Sequence, residues 1–258
     1  MATKKIRISK LPTTGPENIK KKDIVKKTKD YAKKIQALTE LMYANKKHSL
    51  LVVLQGMDSS GKDGVTKSVF GKVSPTMVSA YSFKKPTDEE FAHDFLWRAH
   101  KQTPAKGHTQ IFVRSHYEDV LVQKVHNWID SRKVTTRFNA INAFEKLLVA
   151  DNNTIVMKFF LNLSKERQKE KLIERIQEPE KNYKHNDGDW EQRKYWDSYM
   201  KAYEDVLNKS DIPWINVPAD QRWYRNYVVA EHIYKRLKRL KETYPTLSEK
   251  PKVDMKNG

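Results

Sequence analysis

Five apolar runs punctuate the chain without the alternation of a half-buried strand. The first is Leu50-Leu51-Val52-Val53-Leu54, and Met77–Tyr81, Gln110–Val113, Thr154–Leu163 and Trp214–Val217 follow. Short continuous runs of this kind fit strands covered on both faces, as in a parallel sheet. Helical spacing fills the intervals. Asp88–His100 carries Phe91, Phe95 and Leu96, and Glu118–Ile129 carries Val122, Val125 and Ile129. Phe138–Val149 and Leu163–Ile176 follow, and a last helix is predicted from Trp223 to about Leu240. Ahead of the first run, Ile24, Tyr31, Ile35, Leu38, Leu41 and Met42 predict one long helix from about Ile19 to Ala44. Strands alternating with helices define an α/β fold with a mostly parallel five-stranded sheet.

The pattern fails in three places. Residues 1–16 are polar and carry Pro12, Gly15 and Pro16, so they read as an arm with little regular structure. Residues 179–200 are rich in charge and aromatics, poor in aliphatics, and broken by Pro179, Asn186 and Gly188. They read as an excursion from the sheet, a helical hairpin or lid, and Trp190, Tyr195, Trp196, Tyr199 and Tyr203 are expected to pack within it. The tail from about Thr243 is polar. The chain therefore divides into a basic arm and helix over 1–48 and a core over 49–258, with a lid inserted at about 165–210.

Charge changes the picture. The 258 residues hold 50 Lys and Arg against 32 Asp and Glu, a net +18, and residues 1–34 contribute half of it with twelve basic and three acidic side chains. Such an excess expects a polyanion: nucleic acid, an acidic membrane surface or a phosphate-rich substrate. There is no cysteine, which excludes disulfides, thiolate metal sites and thiol nucleophiles. No apolar run approaches the roughly 20 residues of a membrane-spanning helix, and no secretory signal is read at the N-terminus. A cytoplasmic protein is expected.

The first apolar run ends in Gly56-Met57-Asp58-Ser59-Ser60-Gly61-Lys62-Asp63-Gly64, and a helical pattern through Val65, Val69 and Phe70 follows. A buried strand, a glycine-bearing loop and a helix start form the context of a phosphate-binding loop. Glycines let backbone N–H groups turn inward, and the helix offers its positive end to an anion. Lys62 then neutralises phosphate oxygens. Where such loops usually place a magnesium-binding Ser or Thr, this one has Asp63, and a second carboxylate, Asp58, lies inside the loop. A carboxylate beside phosphate is repulsive unless a cation lies between, so Asp58 reads as a magnesium ligand or a base at the reacting phosphate. Asp63 serves equally well as a carboxylate answering the helix dipole.

This loop resembles that of the family-2 polyphosphate kinases, and so does Phe112-Val113-Arg114-Ser115-His116-Tyr117-Glu118-Asp119-Val120-Leu121. Ser82-Phe83-Lys84, Asp94-Phe95-Leu96-Trp97-Arg98, Tyr199 to Leu207, Pro213-Trp214 and Val217-Pro218-Ala219-Asp220 are similar too, so the resemblance runs from about residue 30 to 240. It implies a P-loop kinase-like, three-layer fold with a helical lid, and magnesium-dependent phosphoryl transfer between inorganic polyphosphate and a nucleotide. Manganese is the alternative ion, and a homodimer or homotetramer is implied. Carried over by residue, Asp58 holds the metal, Lys62 grips phosphates, Arg114 reaches the transferring group and Arg175 closes over the chain. Gly56, Ser59, Ser60, Gly61, Asp63, Gly64 and Lys67 are expected at the phosphates. The His116-Tyr117-Glu118 version resembles members that accept both AMP and ADP. Val113 departs from the pattern, because an Asp often found there supplies a second metal ligand.

Arg167, Lys171 and Arg175 recur every four residues, so one helix face carries a cationic stripe beside Glu166, Glu170 and Glu174. The stripe follows a chain of phosphates or is a surface laced with ion pairs. Lys84 and Arg98, with Arg114 and Glu118, are candidates for the acceptor nucleotide, or ordinary surface charge in the case of the first two. Neither specific nucleic-acid recognition nor a membrane is expected. The competing readings are an ATP-dependent nucleoside monophosphate kinase and a nucleic-acid-binding module. No helix-turn-helix, zinc or RNP motif supports the latter.

Overall fold

The computed structural model describes residues 5–247. Five strands form one sheet: β1 (Ser49–Gln55), β2 (Val78–Ser82), β3 (Thr109–Val113), β4 (Thr154–Asn162) and β5 (Trp214–Pro218), in the order β2-β3-β1-β4-β5. Every pairing is parallel. β1 lies at the centre, and all seven of its residues are buried. Leu50, Val52 and Leu54 join the core on one face, and Leu51 and Val53 join the other. Burial on two faces is why the strand reads as an unbroken apolar run.

Helices cover both faces. One layer contains α1 (Lys21–Asn45), α2 (Lys62–Phe70) and α10 (Arg222–Lys238). Ile35 and Met42 of α1 are fully buried there, and Tyr31 stacks on Tyr234 of α10 with ring centroids 5.0 Å apart. The opposite layer contains α5 (Glu118–Val125), α6 (Ser131–Asn152) and α9 (Trp196–Lys209). α7 (Lys165–Gln177) follows β4, and a 3-10 turn at Pro179–Lys184 leads to α8 (Asp187–Lys194).

Some expectations needed correction. The helix predicted over Asp88–His100 is two short ones, α3 (Asp88–Ala92) and α4 (Trp97–His100). His93 between them is extended, and Asp94 accepts a hydrogen bond from the Leu96 amide, so side-chain chemistry starts a new turn. α5 stops at Val125, short of Ile129, and Asn127 turns the chain with φ of 56°. Trp196, Tyr199 and Tyr203 pack not within a lid but in the core beneath α9. The arm has one 3-10 turn, Ile8–Lys10, yet it is docked: Ile8 is buried, and its amide donates to Glu204 of α9. Asn162 also donates to the carbonyls of Leu11 and Pro12. Residues 1–4 of the arm, and the tail beyond 247, lie outside the described residues.

The apolar run of β4 hides a charge. Lys158 is fully buried and donates to Glu145 of α6 and to the Tyr117 hydroxyl, each at 2.6 Å. Tyr117 also donates to Glu145, and the His116 ring lies 3.4 Å from the same carboxylate. His116 is thus a core histidine. A buried pair survives when further hydrogen bonds support it, as those of Tyr117 do here.

Candidate active site

All five strands end on the same side, and the candidate residues gather at those carboxyl ends, where open α/β sheets bind ligands. β1 runs into Gly56, which has φ of 150°; a Cβ there would meet the Leu161 carbonyl at 2.6 Å. Ser59 also takes a positive φ, 65°, and its buried Oγ has no hydrogen-bond partner. Ser60 is fully buried, and its amide closes the turn on the Met57 carbonyl. Gly61, with φ of 91°, precedes α2, so Lys62, Asp63 and Gly64 form the first turn of the helix. Lys62 folds back beneath the loop, its Nζ donating to the carbonyls of Gly56 at 2.7 Å and Met57 at 3.2 Å. Burial, and then the Arg114 charge, lower its pKa to about 8.

β3 ends at Val113, and Arg114 follows in the left-handed region with φ of 61°. Its guanidinium pairs with Asp58 and lies 3.7 Å from Glu118. Burial raises the Glu118 pKa, although Arg114 and Lys62 pull against it. The turn is held from below: Gln55 donates to Ser115 Oγ at 3.0 Å, which also accepts from the Tyr117 amide.

Two cavities meet at Asp58, Ser82 and Arg114. The larger, about 830 Å³, is a cationic groove over the phosphate loop. Lys62, Asp63, Gly64 and Lys67 line one side, and Arg167, Lys171 and Arg175 of α7 line another. The four-residue stripe therefore faces the loop. Lys171 donates to the Ser59 carbonyl at 3.3 Å, and Gln168 donates to that of Asp58 at 3.1 Å, so α7 is anchored to the loop. Burial, followed by the charges of Arg225 and Arg167, lowers the Lys171 pKa to about 8. Arg167 is engaged by Glu170 and Glu174. Arg175 is paired with Asp189 of α8 and donates to the Lys184 carbonyl.

The other cavity, about 560 Å³, is lined by Lys84, Arg98, Glu118, Tyr199 and Tyr203 among others. Lys84 is exposed. Arg98 is not ordinary surface charge: it is buried, donates to Asp119 and to the Lys84 carbonyl at 2.9 Å each, and sits over the Phe83 ring. Phosphates in the groove and a second phosphate in this cavity would meet at Asp58 and Arg114. That arrangement permits in-line transfer, with charge neutralisation from both sides.

Sequence reasoning missed Arg225. It is buried against the loop, donates to the Ser60 carbonyl at 3.0 Å, and has no carboxylate within ion-pair distance among the described residues. Its guanidinium lies 1.9 Å from where a Gly61 Cβ would be, so any side chain there would displace this arginine as well as strain the positive φ. Burial, and then Arg222, lower its pKa to about 10. No local pattern marks a single arginine 164 positions downstream of Gly61. Asp189 was missed for the same reason.

Fold and loop together define a P-loop kinase-like protein. The family model for polyphosphate kinase 2 matches residues 18–245, and the chain belongs to that family. It is 44% identical over 224 residues to an AMP/ADP-polyphosphate phosphotransferase of Meiothermus ruber, covering 84% of each chain. It is 37% identical over 257 residues to an ADP-polyphosphate phosphotransferase of Rhodopseudomonas palustris, covering 93% of this chain and 89% of the other. The crystal structure of polyphosphate kinase 2 from Arthrobacter aurescens superposes with a TM-score of 0.92 at 36% identity, over 95% of this chain and 90% of that one. Among the described residues, no helix is long and apolar enough to cross a membrane, and no group of three or more His, Asp or Glu forms a metal cluster.

Proposed function

We propose that the protein transfers a phosphoryl group between inorganic polyphosphate and nucleoside mono- and diphosphates, taking AMP to ADP and ADP to ATP, reversibly. The observation that carries this reading is the meeting of a cationic groove and a second cavity at Asp58 and Arg114. Polyphosphate lies in the groove, along Lys62, Lys67, Arg167 and Lys171. The nucleotide lies in the other cavity, its phosphates toward Lys84, Arg98 and Arg114. An oxygen of its terminal phosphate attacks the end phosphorus of the chain. One P–O bond forms, the terminal phosphoanhydride bond breaks, and the shortened chain keeps the electron pair. Product and reactant are both phosphoanhydrides, so concentrations set the direction.

Arg114 carries the transferring group because a planar guanidinium matches its oxygens. Arg175, held by Asp189, closes over the chain as part of a lid within about 165–210 and excludes water. Oxygen donors suit a hard divalent cation, and Asp58 beside the unpartnered Ser59 hydroxyl fits magnesium, with manganese as the alternative. When bound, the ion neutralises phosphate charge. Val113 offers it no ligand. The relatives' names, the AMP/ADP-polyphosphate phosphotransferase above all, support both acceptors. A cytoplasmic homo-oligomer, dimer or tetramer, fits this role.

The test is a matrix of AMP, ADP, GMP and GDP against polyphosphate with magnesium or manganese, and against ATP. Polyphosphate-dependent formation of ADP and ATP is the expected result. Turnover from ATP and a monophosphate, with none from polyphosphate, overturns the reading.

A further inference from the structure

The second cavity has a feature that phosphate chemistry leaves unexplained. Trp128 lines it and is 59% exposed, the only exposed tryptophan of the chain's six. Trp196 and Trp214 are buried in the core, and Trp97 is sandwiched between His93 and Lys101. A single exposed apolar ring is ordinary on a protein surface, but at the wall of a cavity it offers a face to whatever enters.

Trp128 is also held still. Its amide donates to the Gln123 carbonyl at 2.8 Å, after Asn127 has turned the chain back on α5. One side of its ring stacks on His126, with centroids 5.4 Å apart and planes 27° apart. His126 is fixed in turn by Gln192 of α8 at 2.8 Å and by the edge of Tyr195. A ring so backed presents a pre-set face, with little rotamer freedom left to lose on binding.

The oxygens of the cavity's amide side chains are already engaged. Gln123 donates to Asp119 and accepts from Arg137. The Gln192 oxygen accepts from the Tyr199 hydroxyl and meets His126. Asn186 caps α8 with its oxygen. The amide oxygens that would accept from the polar edge of a base are thus taken up within the protein, whereas an aromatic face is free. Every nucleobase has a π-face, so stacking is tolerant of base identity.

We propose that Trp128 is the stacking platform for the acceptor's nucleobase, and that it makes the site favour purines as a class over pyrimidines without separating adenine from guanine. This rests on the nucleotide reading above and specifies how that site recognises its substrate.

The experiment is calorimetric titration of the full chain, wild type, Trp128→Phe and Trp128→Ala, with ADP, GDP, CDP and base-free pyrophosphate. Trp128→Ala is expected to weaken ADP and GDP together by roughly tenfold or more, whereas Trp128→Phe stays within about threefold. Pyrophosphate affinity should be the same in all three, because it has no ring to stack. Wild-type affinities for ADP and GDP should agree within about threefold, with CDP weaker. Unchanged ADP binding in Trp128→Ala overturns the proposal, and so does an equal loss for pyrophosphate, which would mark a structural role. A wild type that binds ADP through Trp128 yet shows no polyphosphate-dependent turnover overturns the proposed reaction and leaves the platform standing.

Discussion

Arg114 and Asp58 form an ion pair at the one place where the two cavities adjoin, although 56 residues separate them in sequence. The arginine sits there because the chain leaves β3 in a left-handed conformation, and the aspartate because the phosphate loop turns at Ser59. Each holds the other in place until phosphates arrive.

Asp58→Asn and Lys62→Ala should therefore each lower kcat by two orders of magnitude or more, while circular dichroism stays native. The arginine typically lost from such sites costs about as much. Near-wild-type kcat in either folded variant sinks the assignment.

The two lysines of the groove give a pH signature. Lys62 and Lys171 are both lowered to about 8 in the free protein. Binding phosphate needs their charged forms and raises their pKa. Affinity should be full below pH 8 and fall as pH rises through 8 and the lysines lose their protons. The descending limb appears in kcat/KM for polyphosphate, and kcat itself falls only at higher pH. Lys171→Arg, which stays charged, should flatten part of that limb. A pH-independent kcat/KM between 7 and 9 contradicts the assignment.

Arg175 separates geometry from charge. If its planar fork grips the transferring group, Arg175→Lys should fail nearly as badly as Arg175→Ala, at saturating polyphosphate and ADP. Recovery of most of the turnover by lysine demotes it to chain binding. Asp189→Asn, which loosens the arginine's partner, should lower kcat by a smaller factor.

The buried pair Lys158–Glu145 makes a stability prediction. Lys158→Met alone leaves an uncompensated carboxylate and should cost about 3–5 kcal/mol. Lys158→Met with Glu145→Leu should recover much of that loss, read by denaturant unfolding. A harmless single variant shows the pair to be dispensable.

Deleting residues 1–16 should lower the melting temperature, since burying the Ile8 side chain contributes about 1.5–3 kcal/mol. Catalytic groups are untouched, so kcat below the transition should stay near normal. A collapse of kcat at saturating substrate would place the arm in the active site.

The strands, the phosphate loop and the cationic stripe of α7 were legible in the sequence because each depends on neighbours within a few positions, whereas Arg114 and the closing role of Arg175 entered only through the family resemblance. A two-sided burial gives an unbroken apolar run, a left-handed turn demands glycine, and a helical face repeats every four residues. Tertiary structure alone decided the rest. Lys158 is a lone charge inside an apolar run until α6 brings Glu145 to it. Arg98 reads equally as an acceptor-site or a surface charge until Asp119 and Phe83 enclose it, and Arg225 has no meaning until α10 lays it against Gly61. Nor does periodicity tell α9's aromatics to join the core instead of a lid. Local sequence encodes backbone conformation and which faces are apolar; which distant charge meets which is set by the packing of the layers, and charge pairing is the quantity on which this site depends.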